Sequence, residues 1–299
     1  MAGNRQLVPS LSTFEVWAIA LGSIIGWGAF VMPGTTFLPA AGPFGTALAL
    51  GIATVVMAVV ALNLHFAMNR TPVAGGAFAY TIQSFGRTHG FICGWSLLLA
   101  YLAIIPQNAT AFSLISRNLM GNLLEVGPSY NLAGYDTYLV ELLITVLVLV
   151  VFLALALHST KAMGIAQAAF ALCIVVGVGV VALAVIFSPE SSAGNLQPAF
   201  NPNVSPVVGV MSVLVVAPWA FIGFDAVTQV AEDIQFSPRR VGGIMVSAIV
   251  VGALIYIGLN LSAIAVLPAG YADWPSYIAD IPNIKGLASL PVFSSVQQA

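Results

Sequence analysis

Residues 20–30 read ALGSIIGWGAF, an apolar run interrupted by Gly22, Gly26 and Gly28. Glycine costs a helix interior roughly 1 kcal/mol relative to alanine, so the segment is weakened where a helix needs strength. The surrounding chain shows what kind of helix this is. Of 299 residues, 60% are hydrophobic and 6% charged, and the mean hydropathy is +1.01. Soluble domains carry about a quarter charged residues, so this composition is that of an integral membrane protein. No Asp, Glu, Lys or Arg occurs in the 54 residues between Glu15 and Arg70. Further uncharged gaps run from Arg87 to Arg117, Glu141 to Lys161, Lys161 to Glu190, Glu190 to Asp225 and Arg240 to Asp273. A span needs about 20 apolar residues. Seven are expected, at 13–38, 44–68, 89–118, 138–158, 162–187, 206–234 and 241–267. The runs are too long and unbroken for the alternating strands of a membrane barrel. The expected fold class is all-α, integral and multi-pass.

Lys and Arg set the orientation. With the N-terminus cytoplasmic, Arg5, Arg70, Arg87, Lys161, Arg239 and Arg240 lie inside, and Arg117 and Lys285 outside, a positive-inside bias. The acids Glu125, Asp136, Glu190, Asp273 and Asp280 then fall outside. A cell (plasma or inner) membrane is the expected location. The net charge is −2 and no basic patch exists, so no nucleic acid partner is implied. The expected partners are a lipid bilayer and a small molecule; oligomeric state is not legible. Cys93 and Cys173 sit inside expected helices and read as small buried hydrophobes rather than a disulfide. The N-terminal segment lacks a cleavage site of small residues and continues as a full span, so it reads as a retained first helix.

Span six repeats the defect of span one. It contains VVAPWAFIGFDAVTQVAEDI (Val215–Ile234), in which Pro218 removes a backbone donor, Gly223 loosens the chain and Asp225 follows. Gly26 comes 11 residues after Glu15, which is about 16 Å along a helix and near the bilayer midplane. Gly22-x-x-x-Gly26 alone fits a helix-packing motif, and Pro218 alone an ordinary kink. Together they make a pair of interrupted spans in corresponding positions, the best sequence pointer to a transporter's binding site.

GSIIGWGAF in span one, P-V-A-G-G at 72–76, G-W at 94–95, W-A-F-I-G-F-D at 219–225 and SPRR at 237–240 carry a resemblance. In that order and spacing the chain, from about Ser12 onward, resembles the amino acid–polyamine–organocation (APC) superfamily of permeases. The resemblance implies an inverted five-helix-repeat transporter fold with discontinuous first and sixth helices. Residues 1–195 would be the first repeat and 196–299 an incomplete second one, with LPVFSSVQQA (Leu290–Ala299) opening an eighth span. A C-terminally truncated permease is therefore expected. Two departures stand out. Gly26-Trp27-Gly28 replaces the Gly-Ser-Gly of many relatives, and Gly242-Gly243 stands where a second proline often follows the arginine motif.

An unwound helix in lipid leaves N–H and C=O groups that the bilayer cannot pair. A substrate carboxylate would meet main-chain donors around Ser23, Gly26, Trp27 and Gly28, helped by the helix dipole. Carbonyls near Ile24, Trp219 and Phe221 would accept from a substrate ammonium, with Gly223 supplying the second break. Asp225 is the one acid well within a span; it reads either as an N-cap or, as the resemblance implies, as a proton carrier. Trp219 matches a gating aromatic of some relatives or is a packing residue. Tyr101 and Asn108 on span three would reach the cavity or bond between helices. His65 and His158 fit helix-end contacts, and Glu232, Asp233, Arg239 and Arg240 a cytoplasmic charge cluster.

The expected activity is secondary active transport of amino acids or related amines, coupled to H⁺ or Na⁺ or run by exchange, with no enzyme activity, no cofactor and no metal. A channel is the main alternative. A seven-helix receptor would place its N-terminus outside. An intramembrane protease would need a second aspartate or a Ser–His pair.

Overall fold

Ser12 starts the first helix, α1 (Thr13–Ile24). Its hydroxyl accepts the Glu15 amide at 3.4 Å, and the Glu15 carboxylate takes the Ser12 amide at 2.8 Å. This reciprocal pair satisfies two donors that no helical turn can reach. The computed structural model describes residues 10–71, 73, 75–120, 123–132, 135–284 and 289–299. Arg5, Pro72, Ala74 and Lys285, used in the sequence reading, lie outside them.

After α1 the chain leaves helical geometry and re-enters it at α2 (Gly28–Met32). A π-helical turn, Pro33–Phe37, leads into α3 (Leu38–Arg70). Spans expected at 13–38 and 44–68 are thus joined by a bend within α3 and not by a loop. The bend is Gly42, with φ +75°, followed by Pro43. A Cβ on Gly42 would lie 2.7 Å from the Phe200 carbonyl carbon, so the chain passes there only because the residue is glycine. The groups freed at the bend are paired by protein. Phe44 N donates to Ala199 O at 2.9 Å, and Asn201 N to Ala41 O at 3.2 Å. Asn201 Nδ2 donates to Pro39 O at 2.6 Å and Asn260 Nδ2 to Pro43 O at 3.3 Å. Irregular backbone survives at membrane depth only under such cover.

The other helices are α4 (Gly76–Phe85), α5 (Arg87–Met120), α6 (Leu139–His158), α7 (Thr160–Phe187), α8 (Pro206–Ala220), α9 (Ala226–Gln229), α10 (Val241–Ala265), α11 (Trp274–Asp280) and α12 (Pro291–Gln298). The all-α expectation needs one correction. Between α5 and α6, β1 (Ser129–Leu132) pairs antiparallel with β2 (Tyr135–Tyr138). Tyr130, Thr137 and Tyr138 suit a pleated surface, and nothing apolar enough to span separates the two helices there.

Among the described residues, five helical stretches are long and apolar enough to cross a membrane: Gly28–Arg70, Arg87–Arg117, Leu139–His158, Thr160–Phe187 and Pro238–Ala265. Thr13–Ile24 and Pro206–Ala220 are shorter apolar helices. The exposed side chains of α3 include Val55, Val59, Leu62 and Phe66, an apolar exterior that suits lipid and not water. Cys173 is exposed and Cys93 half-buried, and both are free thiols, contrary to the buried reading. Each faces outward on a helix whose exterior is apolar, where a thiol is as well accommodated as in a core.

The chain divides into two compact units. Ala77–Met163 forms one. Within it, Arg117 Nη2 meets the buried Glu141 Oε2 at 2.6 Å, and the same oxygen takes the Tyr138 amide at 3.4 Å. One carboxylate therefore caps α6 and anchors the end of α5. Met1–Gly76 with Gly164–Ala299 forms the other unit. There α3 packs on α8 and α10, and α10 also meets α1 and α12.

Candidate functional site

Both weakened segments are broken. The last bond that closes α1 runs from Ile25 N to Leu21 O at 3.0 Å. Ile25 is extended, with φ −97° and ψ 94°. The carbonyls of Gly22, Ser23 and Ile24 have no next turn to pair them. Helix resumes through short i→i+3 bonds, Ala29 N to Gly26 O at 3.1 Å and Phe30 N to Trp27 O at 3.0 Å. The N–H of Gly28, first residue of α2, is likewise beyond its own helix's reach.

The second break covers residues 221–225. Pro218 does not start it: α8 continues through the proline to Ala220, because a proline near the end of a helix forfeits one bond and leaves the turn standing. Phe221 N then closes onto Pro218 O at 3.1 Å and Ile222 N onto Trp219 O at 3.3 Å. Gly223 takes φ +114°, and Ala226 N returns to Gly223 O at 2.9 Å as α9 begins. Asp225 holds the N-cap position of α9 but its side chain makes no capping bond. Its carbonyl instead takes both Thr228 N at 2.8 Å and Thr228 Oγ1 at 2.6 Å. The carbonyl of Trp219, already bonded to Ile222, offers a guest less than the sequence suggested.

The breaks touch each other. A Cβ on Gly223 would stand 2.6 Å from Ser23 O and 2.7 Å from Ser23 C. A Cβ on Gly28 would stand 3.0 Å from the Trp219 ring. The second break therefore needs glycine at 223 so that the backbone of Ser23 can approach, while the Trp219 ring lies against Gly28. Behind them, α10 closes the site: a Cβ on Gly252 would meet Ile24 Cγ2 at 2.8 Å, and the Tyr256 ring lies 6.5 Å from Phe221 and 6.3 Å from Phe37. Ile24 and Phe221 are buried, while Ser23, Gly26, Trp27, Gly28 and Asp225 keep part of their surface and Trp219 is 41% exposed. The Trp27 ring lies 5.8 Å from Phe293 of α12, so the indole in place of serine faces that helix.

At the end of the unit near Ser12, the broken segments are bound by main chain. Ser10 N and Leu11 N donate to Asp233 O at 2.8 and 2.9 Å, and Gln235 N returns to Leu11 O at 3.1 Å. Leu11 is fully buried, and a Cβ on Gly164 would stand 2.6 Å from its Cδ2. Gly76, from the glycine pair after the second span, packs on Thr228 and Gln229.

A profile of the amino acid permease family matches residues 11–290. The chain belongs to the amino acid permease family. It is 23% identical to the branched-chain amino acid permease BcaP of Bacillus subtilis (strain 168), over 97% of this chain and 65% of that protein. It is 25% identical to the methylthioribose transporter of the same organism, over 89% of this chain and 57% of the other. It is 23% identical to the human (Homo sapiens) cationic amino acid transporter 4, over 90% of this chain and 43% of that protein. This permease-family chain thus spans between about two fifths and two thirds of the length of those relatives.

The structure gathers Ser23, Ile24, Gly28, Trp219, Phe221 and Gly223 at one place in this permease-family unit. Tyr101 and Asn108 lie on α5, within the other unit, and Asn108 Nδ2 donates to its own helix at Ile104 O, 3.0 Å. Sequence reasoning missed Gln167, whose Oε1 would lie 2.9 Å from a Cβ on Gly22. The signal was available: Gln167 is the single carboxamide in the expected span 162–187, and polar groups within membrane spans default to function. Ser10 and Leu11 carried no signal, since main-chain pairing leaves no mark on residue type.

Proposed function

We propose that the chain forms part of a secondary transporter that moves amino acids or related amines across the cell membrane by alternating access. The contact of the two breaks at Ser23 and Gly223 carries this reading. Two interrupted helices that meet offer main-chain donors and acceptors to a zwitterion at a depth where lipid offers none. The carboxylate sits on the amides of Gly26–Gly28 and the ammonium on the carbonyls of Gly22–Ile24, while Trp219 and Ile24 shape the wall. The fold is read as a first five-helix repeat, 1–195, followed by an incomplete inverted second repeat, 196–299, with the N-terminus cytoplasmic. The relatives' names cover branched-chain and cationic amino acids and methylthioribose, so the recognised part is read as the amino acid backbone or another polar group of similar size.

Asp225 follows Gly223 and is part-exposed without capping its helix. It is read as the group that carries a coupled proton. The experiment is counterflow of a labelled amino acid panel in proteoliposomes of the intact gene product, at pH 5.5 and 7.5. Wild-type protein is expected to accumulate label against its gradient, faster at the lower pH. Asp225→Asn is expected to exchange substrate with no pH dependence. Flux that equilibrates label without counterflow means a channel, and an Asn variant with wild-type pH dependence removes Asp225 from the coupling.

A further inference from the structure

Threonines in these helices share a habit. Thr35, Thr54, Thr81 and Thr145 each donate the hydroxyl to the carbonyl four residues back, at 3.0, 2.7, 2.7 and 2.9 Å. Thr46 breaks it. It lies four residues after the bend at Gly42, where φ is +75° and ψ 177°. Thr46 Oγ1 is fully buried and has no hydrogen-bond partner. Three residues before it, Pro43 O accepts Asn260 Nδ2 of α10 at 3.3 Å. Asn260 is also fully buried, and its Oδ1 has no partner. Positions 43 and 46 are three apart on one helix and share a face. One hydroxyl and one amide oxygen, on two packed helices, are thus without partners on the face of α3 that Asn260 reaches.

Stranding two buried polar atoms is costly, and native interiors answer it with a bonded guest. We infer that a single water molecule binds between Thr46 and Asn260, pairing the hydroxyl of the one and the amide oxygen of the other. The guest must donate to the amide oxygen and exchange a bond with a hydroxyl that can donate or accept, which water does. A hard cation wants roughly six oxygen ligands, and the side chains here supply two. A buried water typically makes two to four hydrogen bonds, and Thr46 Oγ1 and Asn260 Oδ1 supply two of them. The site then fastens the bend of α3 to α10, independently of whether the protein transports anything.

Thermal unfolding of the full chain in nanodiscs tests the site by the sign of one shift. Thr46→Val keeps the shape and deletes the hydroxyl. If water is bound there, the midpoint falls by about 2–4 °C, the scale of one lost hydrogen bond in a protein of this size, while Thr46→Ser stays closer to wild type. In an Asn260→Leu background, where the water has lost its second anchor, Thr46→Val is expected to leave the midpoint nearly unchanged. If the site is dry, Thr46→Val removes an unsatisfied group and the midpoint rises. A rise in the wild-type background, or an equal fall in both backgrounds, overturns the proposal. Should Asn260→Leu fail to fold, the sign of the Thr46→Val shift alone decides.

Discussion

Gly223→Ala is expected to reduce amino acid uptake by roughly 100-fold with membrane expression unchanged, the loss that a displacement of about 1 Å imposes on positioned groups. Two causes add. The backbone φ of +114° lies where side chains are rarely tolerated, at a cost of about 1–3 kcal/mol. The added methyl would also stand 2.6 Å from Ser23 O. Backbone on both sides has no flexible side chain to move, so the two breaks must part. Gly51, with nothing within 4 Å of its Cβ position, is the matched control, and Gly51→Ala should transport like wild type. Wild-type uptake by Gly223→Ala would mean that the approach of the two breaks is not needed for transport.

The second large effect concerns turnover. Leu11 and Ile234 form a parallel bridge that ties the ends of the two broken segments. The proposed alternating access requires each end of the site to open in turn, and the main-chain bonds of Ser10, Leu11 and Gln235 tie the two segments together at this end. A Leu11→Cys, Ile234→Cys pair, in a background with Cys93→Ala and Cys173→Ala, is placed to form a disulfide, because bridged residues lie within disulfide reach. Oxidation is expected to bring uptake to background, and reduction to restore it. Substrate binding in detergent should persist in the oxidised protein, since neither cross-linked residue belongs to the breaks at 25–27 and 221–225. Full uptake by fully cross-linked protein would show that this end need not open.

What the sequence made legible follows from what each feature depends on. The breaks at Gly26 and Gly223 were readable because glycine and proline act locally, through backbone freedom and a missing donor. Membrane class was readable from charge alone. The bend at Gly42-Pro43 was not, although both residues are breakers, because a loop and a kink look alike until Ala199 and Asn201 are known to pair the freed groups. The hairpin at Ser129–Tyr138 was hidden by attention to apolar runs. Pro218 misled by one turn, since a proline's damage falls on the preceding carbonyls while the visible unwinding waits for Gly223. Gln167 and Asn260 were visible as lone carboxamides in apolar spans, but only packing reveals what each of them faces. Leu11 carried nothing readable, because its role lies in its main chain.

Amide hydrogen exchange with and without a transported amino acid is the most direct measurement of the site. Peptides covering 22–28 and 219–226 should both gain protection on binding, and together, since their amides and carbonyls hold the ligand. Protection confined to other segments, with 22–28 and 219–226 exchanging as before, would contradict a site made of the two helix breaks.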